Sequence, residues 1–395
     1  MKLTKLIFSF LLLSANLLAQ KPVGNPYAAI DKKALQISDS LTQNTVDISN
    51  FIKTNFSSDK DKTRAIFIWI ASNIEYDVAN MFAINFYELQ EEKIAKSLRT
   101  RKGICENYAA LFTDICNRCG IKSYVVEGYT KQNGFADYIP HAWSAARVDS
   151  AWYLFDPTWG SGYVSGGKFY KRISNSYYKV EPSVLVKSHM PFDYLWQFLN
   201  HPISNQDFYE GNTSENISKP FFNYIDSLKF YDQQTHIEQA KSAAARIEKN
   251  GLKNSMIFSQ LQNIKIEIEN DRQTTIVNKY NAAANDYNES IKYLNEFIDY
   301  RNKQFTPLQP DSAIQNMLTI ANNKLVLTKA KLSEIKNPDA NITNASAQLL
   351  KSASYVEMQF KEQQDWLDQY FSKGKSGRKS MFFNKKITWF GIPLN

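Results

Sequence analysis

The chain has 395 residues, long for one domain of about 150, so two or three domains with a sizeable core are expected and a small disulfide-held fold is excluded. Hydrophobic residues make up 43% and charged residues 22%, a globular composition far from that of disordered chains. The net charge of +8 is small for this length, and no long basic block precedes the C-terminal tail, so no nucleic-acid partner is expected.

Residues 1–19 read as a signal peptide, with Lys2 and Lys5 as a basic start, Leu6 to Leu13 as a short apolar run and Ala19 as a small cleavage residue before Gln20. The run is shorter than the roughly 20 residues a membrane span needs, although an uncleaved anchor is the alternative. No later stretch suits a bilayer. The mature protein is therefore expected to be exported, periplasmic or extracellular, without a transmembrane span.

Export changes how the three cysteines are read, since thiols tend to pair in oxidising compartments and an odd number leaves one over. Cys116 and Cys119, spaced C-x-x-C, pair or stay buried, and either arrangement leaves Cys105 without a structural partner. No second Cys or His pair completes a zinc site, and no acidic loop of the calcium-binding kind is present, so no metal or other cofactor is expected.

Lys62 to Tyr76 carries Ile66, Trp69, Ile70 and Ile74 at helical spacing, which predicts a helix buried on one face. Gly103 then stands two residues before Cys105, and Tyr108, Leu111, Phe112 and Ile115 continue in helical register until Gly120 offers a left-handed cap. Cys105 is thus placed at a helix N-terminus. Unpaired N–H groups and the positive end of the helix dipole stabilise a thiolate there, which points to a nucleophile.

A nucleophilic cysteine needs a base, and His141 is the best placed of the four histidines. Residues 140–148 read as a strand, Asp149-Ser150 as a two-residue turn and residues 151–156 as the returning strand. With that turn Val148 opposes Ala151, His141 faces Thr158 and Trp143 faces Asp156, so Asp156 is a diagonal neighbour of His141 on one face. A slip of one residue would separate them. In this register Asp156 can hold one imidazole nitrogen and leave the other for Cys105, although Asp-Pro-Thr is also a turn in which the carboxylate only caps backbone N–H groups. His189 and His201 stand next to prolines, which suggests connecting segments, and His236 lies near a helix start.

The character of the chain changes near residue 205: nine of the fourteen glycines, five of the seven tryptophans and all three cysteines precede it. Four to six helices are expected from about residue 220 to 372, bounded near Pro307, Pro310 and Pro338. The division expected is a signal peptide over 1–19, a first domain over 20–205, a helical domain over 206–372 and a basic aromatic tail over 373–395.

Taken in order, Gly103-x-Cys105-x-x-Tyr108-Ala109, Gly120-Ile121, Gly128-Tyr129, His141-Ala142-Trp143 and Trp152-Tyr153-Leu154-Phe155-Asp156-Pro157-Thr158-Trp159 resemble the core of the transglutaminase-like superfamily. These papain-like thiol enzymes include transglutaminases, microbial cysteine proteases and peptide N-glycanase relatives. The resemblance covers roughly residues 55 to 165 and does not extend into the helical half. It implies an α+β fold with a nucleophile helix packed on an antiparallel sheet, here followed by an all-α domain. It also implies Cys105 as nucleophile, His141 as general base and acid, and Asp156 as the orienting carboxylate.

The expected function is that of an exported thiol enzyme acting on peptide or isopeptide amides of a protein or peptide substrate through a thioester. Attack by water would make it a protease or amidase, and attack by an amine a crosslinking acyltransferase. The helical half would present substrate or dock an envelope protein partner. The alternative is a non-catalytic binding or assembly protein that uses the fold as a platform. The second oxyanion donor is left open between side chains of the Trp69 to Tyr76 stretch, with Trp69 read as core.

Overall fold

The computed structural model describes residues 25–85, 88–132, 135–383, 388–389 and 392–393. Residues 1–19, which the sequence suggests are a signal peptide, and Lys385, Lys386 and Phe390 of the tail lie outside the described residues. Two compact units follow each other in the chain, one through Asn263 and one from Ile264.

The first unit begins with three helices, α1 (Ala28–Ala34), α2 (Thr45–Asn55) and α3 (Asp59–Asn73). Asn44 and Ser58 accept N–H bonds from Asp47 and Asp61, which explains why α2 and α3 start where they do. Buried Arg64 of α3 grips Asp31 of α1 through two hydrogen bonds of 2.6 and 2.7 Å. The helix expected to run to Tyr76 stops at Asn73. Ile74 is extended, and Glu75–Tyr76 forms strand β1. After α4 (Gln90–Thr100), β1 pairs in parallel with β2 (Lys102–Gly103), setting Tyr76 beside Gly103. Two paired residues override a helical pattern that gave no sign of ending.

Helix α5 (Cys105–Arg118) follows at once and ends against Gly120, whose φ of +80° gives the expected left-handed turn. It packs on a four-stranded antiparallel sheet ordered β5-β4-β3-β8, formed by β3 (Ser123–Gln132), β4 (Phe135–Val148), β5 (Ala151–Phe155) and β8 (His189–Pro191). Ala109 of α5 meets Ala142 of β4, and the Ser144 hydroxyl donates to the Ala109 carbonyl, so small residues let helix and sheet approach closely. Phe112 and Phe155 stack at 4.7 Å farther along the same face. Between β5 and β8 lie α6 (Pro157–Ser161), the hairpin of β6 (Gly162–Ser165) and β7 (Lys168–Lys171), and the short α7 (Pro182–Leu185). The fold is α+β, as expected.

Helices α8 (Asn205–Glu210), α9 (Tyr224–Gln233) and α10 (His236–Asn250) also fall in the first unit, and α11 (Ser255–Asn302) runs on into the second. The second unit adds α12 (Asp311–Ser333), α13 (Ala340–Phe371) and the short α14 (Lys375–Ser380). Pro310 caps α12, and Pro338 precedes Asp339, the cap of α13, as the proline positions predict. Its core gathers Phe297, Phe305, Leu318, Leu325, Ala353 and Leu367. The first part of the tail is docked on this core: Arg378 pairs with Asp311 at 2.7 Å, and Phe382 packs against Phe305, Trp366 and Tyr370. Among the described residues no helix is long and apolar enough to cross a membrane.

Candidate active site

Cys105 opens α5, and its place is fixed from both sides. Upstream, the β1–β2 pair ends at Gly103; a Cβ there would come within 2.7 Å of the Asn107 Cβ, so only glycine lets the chain turn this tightly into the helix. Downstream, the Asn107 side chain reaches back to accept the Ile104 N–H at 2.9 Å and secures the first turn. The Cys105 side chain is nearly buried and faces a cleft of about 1090 Å³.

The hairpin carries the other two predicted residues in the predicted register. Val148 opposes Ala151 and Ser144 opposes Phe155, with Asp149 at a φ of +57° in the turn. The ladder ends at Phe155. Asp156 leaves it to cap α6, and the two readings of its carboxylate both hold, one per oxygen. Oδ1 accepts the N–H groups of Thr158 at 2.9 Å and Trp159 at 3.2 Å, while Oδ2 faces His141 Nε2 at 2.9 Å. That leaves Nδ1 of His141 for Cys105, whose proximity favours the protonated ring. The structure therefore brings Cys105, His141 and Asp156 together.

The electrostatics follow from burial and pairing. Burial disfavours the His141 imidazolium, but the Asp156 charge and hydrogen bond, with the contact to Cys105, outweigh it and raise the group from 6.5 to about 10. Burial likewise opposes the Asp156 carboxylate, yet His141 and then His189 hold it well below the usual carboxylate range. Cys116 and Cys119 are free and buried; burial pushes Cys116 well up and Cys119 to about 11, so neither competes as a nucleophile.

Residues 47–157 match the transglutaminase-like superfamily. This stretch is a transglutaminase-like core. It is 36% identical over 159 residues to human kyphoscoliosis peptidase, covering 38% of this chain and 24% of that protein, and 23% identical over 199 residues to Drosophila melanogaster hillarin, covering 45% and 24%. The chain thus spans about a quarter of the length of these relatives. The solved periplasmic domain of TgpA from Pseudomonas aeruginosa is 18% identical over 33% of this chain and 48% of its own, with a TM-score of 0.25, too low to carry argument.

The transglutaminase-like core holds one polar partner that the sequence reading passed over. His189 lies in β8 rather than in a connecting segment; its Nε2 is 3.2 Å from Asp156 Oδ2, the same oxygen that meets His141. Pro191 misleads in the sequence because proline is tolerated on an edge strand, and β8 is the edge. What admits β8 is Gly128 of β3, where a Cβ would stand 2.1 Å from the Met190 carbonyl oxygen. His141, Asp156 and His189 bring ligand atoms within 4.8 Å of one another, a spacing that suits a metal ion, and here these atoms hydrogen-bond among themselves.

The cleft walls come from separate elements. Tyr76 lines it from β1, Trp159 from α6, and exposed Phe82, Phe135 and Tyr163 stand at its rim. Trp159 packs 5.5 Å from the His141 ring, whereas Trp143 is fully buried behind it, so of the two tryptophans flanking the site only Trp159 reaches the cleft. Trp69 is core, as expected.

Proposed function

We propose that this chain is an exported cysteine enzyme that cleaves or transfers peptide or isopeptide amides through Cys105, His141 and Asp156. The observation that carries the reading is the 2.9 Å pairing of Asp156 with His141, with Cys105 acting on the same ring and lining an open cleft. The raised His141 favours proton transfer from the thiol, giving a thiolate–imidazolium pair.

In the first half-reaction the Cys105 Sγ attacks the amide carbon and the carbonyl electron pair moves onto oxygen. The oxyanion is met by the Cys105 N–H, which has no intrahelical acceptor at the first position of α5. Tyr76 supplies the second donor. Its phenol stays protonated because burial, and then the charges of Cys105 and Asp156, raise it above its ordinary value. As the oxyanion collapses, the carbon–nitrogen bond breaks, His141 passes its proton to the leaving amine, and a thioester remains. Water or a primary amine, deprotonated by His141, then attacks the thioester and releases the thiolate. Water yields a carboxylic acid and an amine yields a new amide; the residues are the same for both.

A protein or peptide substrate follows from this amide chemistry. The exported location rests on residues 1–19, and residues 206–372 hold an envelope protein partner. The test is to incubate the full chain with a disordered protein substrate, with and without a labelled primary amine, beside Cys105→Ala. New N-termini or amine incorporation, absent in Cys105→Ala, support the reading. A folded, reduced protein that does neither, and forms no thioester adduct by mass spectrometry, overturns it.

A further inference from the structure

The two oxygens of Asp156 are unequally loaded. Oδ1 is consumed by the N–H groups of Thr158 and Trp159, so both imidazoles, His141 and His189, converge on Oδ2. The carboxylate is wholly buried, with four N–H groups around it. On the other side of the His189 ring, Nδ1 lies 2.8 Å from the Ser188 hydroxyl, whose alternative acceptor, the Leu185 carbonyl, is farther away at 3.4 Å. A hydroxyl that donates across the shorter contact leaves the His189 proton on Nε2, where the Asp156 carboxylate, which can only accept, faces it at 3.2 Å. Trp159 at 4.6 Å and Trp143 at 5.2 Å clamp the ring edge to face. Such a packed, doubly bonded imidazole has one orientation.

We propose that His189, protonated on Nε2, is a positioning residue that fixes Asp156 and, by sharing its charge, sets the pH at which the His141 imidazolium gives up its proton. This rests on the thiol-enzyme reading of Cys105, His141 and Asp156. A carboxylate oxygen that already accepts one N–H is a weaker acceptor for the next. His141 is therefore a stronger acid than it would be against Asp156 alone, and better able to protonate a leaving amine. Among the described residues, the other titratable groups facing this cluster are Cys105 at the start of α5, Tyr76 in β1, Tyr108 one turn into α5 and Tyr177 before α7; the last three sense the Asp156 charge and are held protonated. The groups that hold the Asp156 charge are His141 and then His189.

The experiment follows the rate of Cys105 alkylation by iodoacetamide against pH, read by intact mass, in the full chain and in His189→Ala, His189→Gln and His141→Ala. The wild-type profile has an alkaline break where the imidazolium beside the thiolate deprotonates, and His141→Ala lacks it. In His189→Ala the break moves up by about one pH unit, the size of one shared charge-assisted hydrogen bond. In His189→Gln, whose amide N–H replaces Nε2–H, the break returns towards the wild-type value. Folded alanine and glutamine variants that both keep the wild-type break, or that shift it equally, would reduce His189 to packing and overturn the proposal. If His189→Ala does not fold, the ¹⁵N shifts of His189 in the wild-type protein decide: protonation on Nε2 alone supports the proposal, and the opposite tautomer or a doubly protonated ring overturns it. A wild-type profile with no His141-dependent break would remove the enzyme reading itself, and this inference with it.

Discussion

The two units of the chain bury polar groups in different ways. In the second unit buried charge is spent on holding helices together: Asp286 sits between Lys324 and Lys331, and the Arg301 guanidinium lies 3.4 Å over the Trp366 ring and donates to Gln363. In the first unit Asp156, His141 and Cys105 form a series whose last member opens onto a cleft. Burial of a polar side chain therefore does not mark a site by itself. What marks one is a chain of hydrogen bonds that ends at a group with reactive capacity and room in front of it.

The largest effects expected from that contrast fall on the series. Cys105→Ala abolishes thioester formation, and His141→Ala slows acylation by about 10⁴-fold; both are read by single-turnover mass spectrometry. Asp156 separates its two roles. Asp156→Asn keeps an oxygen for the Thr158 and Trp159 N–H groups, so it melts near wild type while acylation falls by a comparable factor, whereas Asp156→Ala also loses the α6 cap and about 1–2 kcal/mol in chemical denaturation. Tyr76→Phe removes one oxyanion donor and lowers kcat by about 10²-fold with KM little changed.

The pH dependence of stability sharpens the same comparison. His141 is raised from 6.5 to about 10 in the folded chain, so its contribution is fully present below pH 6.5 and is lost as the pH rises towards 10. Asp156 is depressed, so its contribution is present above the ordinary carboxylate range and lost as the pH falls below it. Denaturation of wild type and His141→Gln at pH 6 and pH 10 should therefore differ more at pH 6. The smallest effect belongs to the second unit: Arg301→Met exchanges a buried cation for an apolar chain and shifts stability by less than about 2 kcal/mol, with Cys105 alkylation unchanged. A change in alkylation there would break the contrast between the units.

The legible part of the site was the part set by local geometry. Glycine before and after a helical stretch placed Cys105, and a two-residue turn fixed the face shared by His141 and Asp156. The helices after residue 220 and their proline boundaries followed from periodicity in the same way. The helical spacing through Tyr76 misleads because the two-residue β1–β2 pair that captures it joins segments 27 residues apart and leaves no periodic trace. His189 was hidden for a related reason. Its contact with Asp156 depends on β8 lying against β3, and the enabling feature is Gly128, a residue 61 positions away whose missing side chain has no meaning until the strands are in place.

The most direct test of the central claim is brief iodoacetamide treatment at pH 6 of the folded, reduced chain, with the modified residue located by mass spectrometry in wild type and His141→Ala. Ordinary thiols are mostly protonated at that pH, and Cys116 and Cys119 are buried with raised values. Rapid labelling confined to Cys105 that slows sharply in His141→Ala is the predicted result. Slow labelling of Cys105 in wild type, or a rate indifferent to His141, would contradict the account.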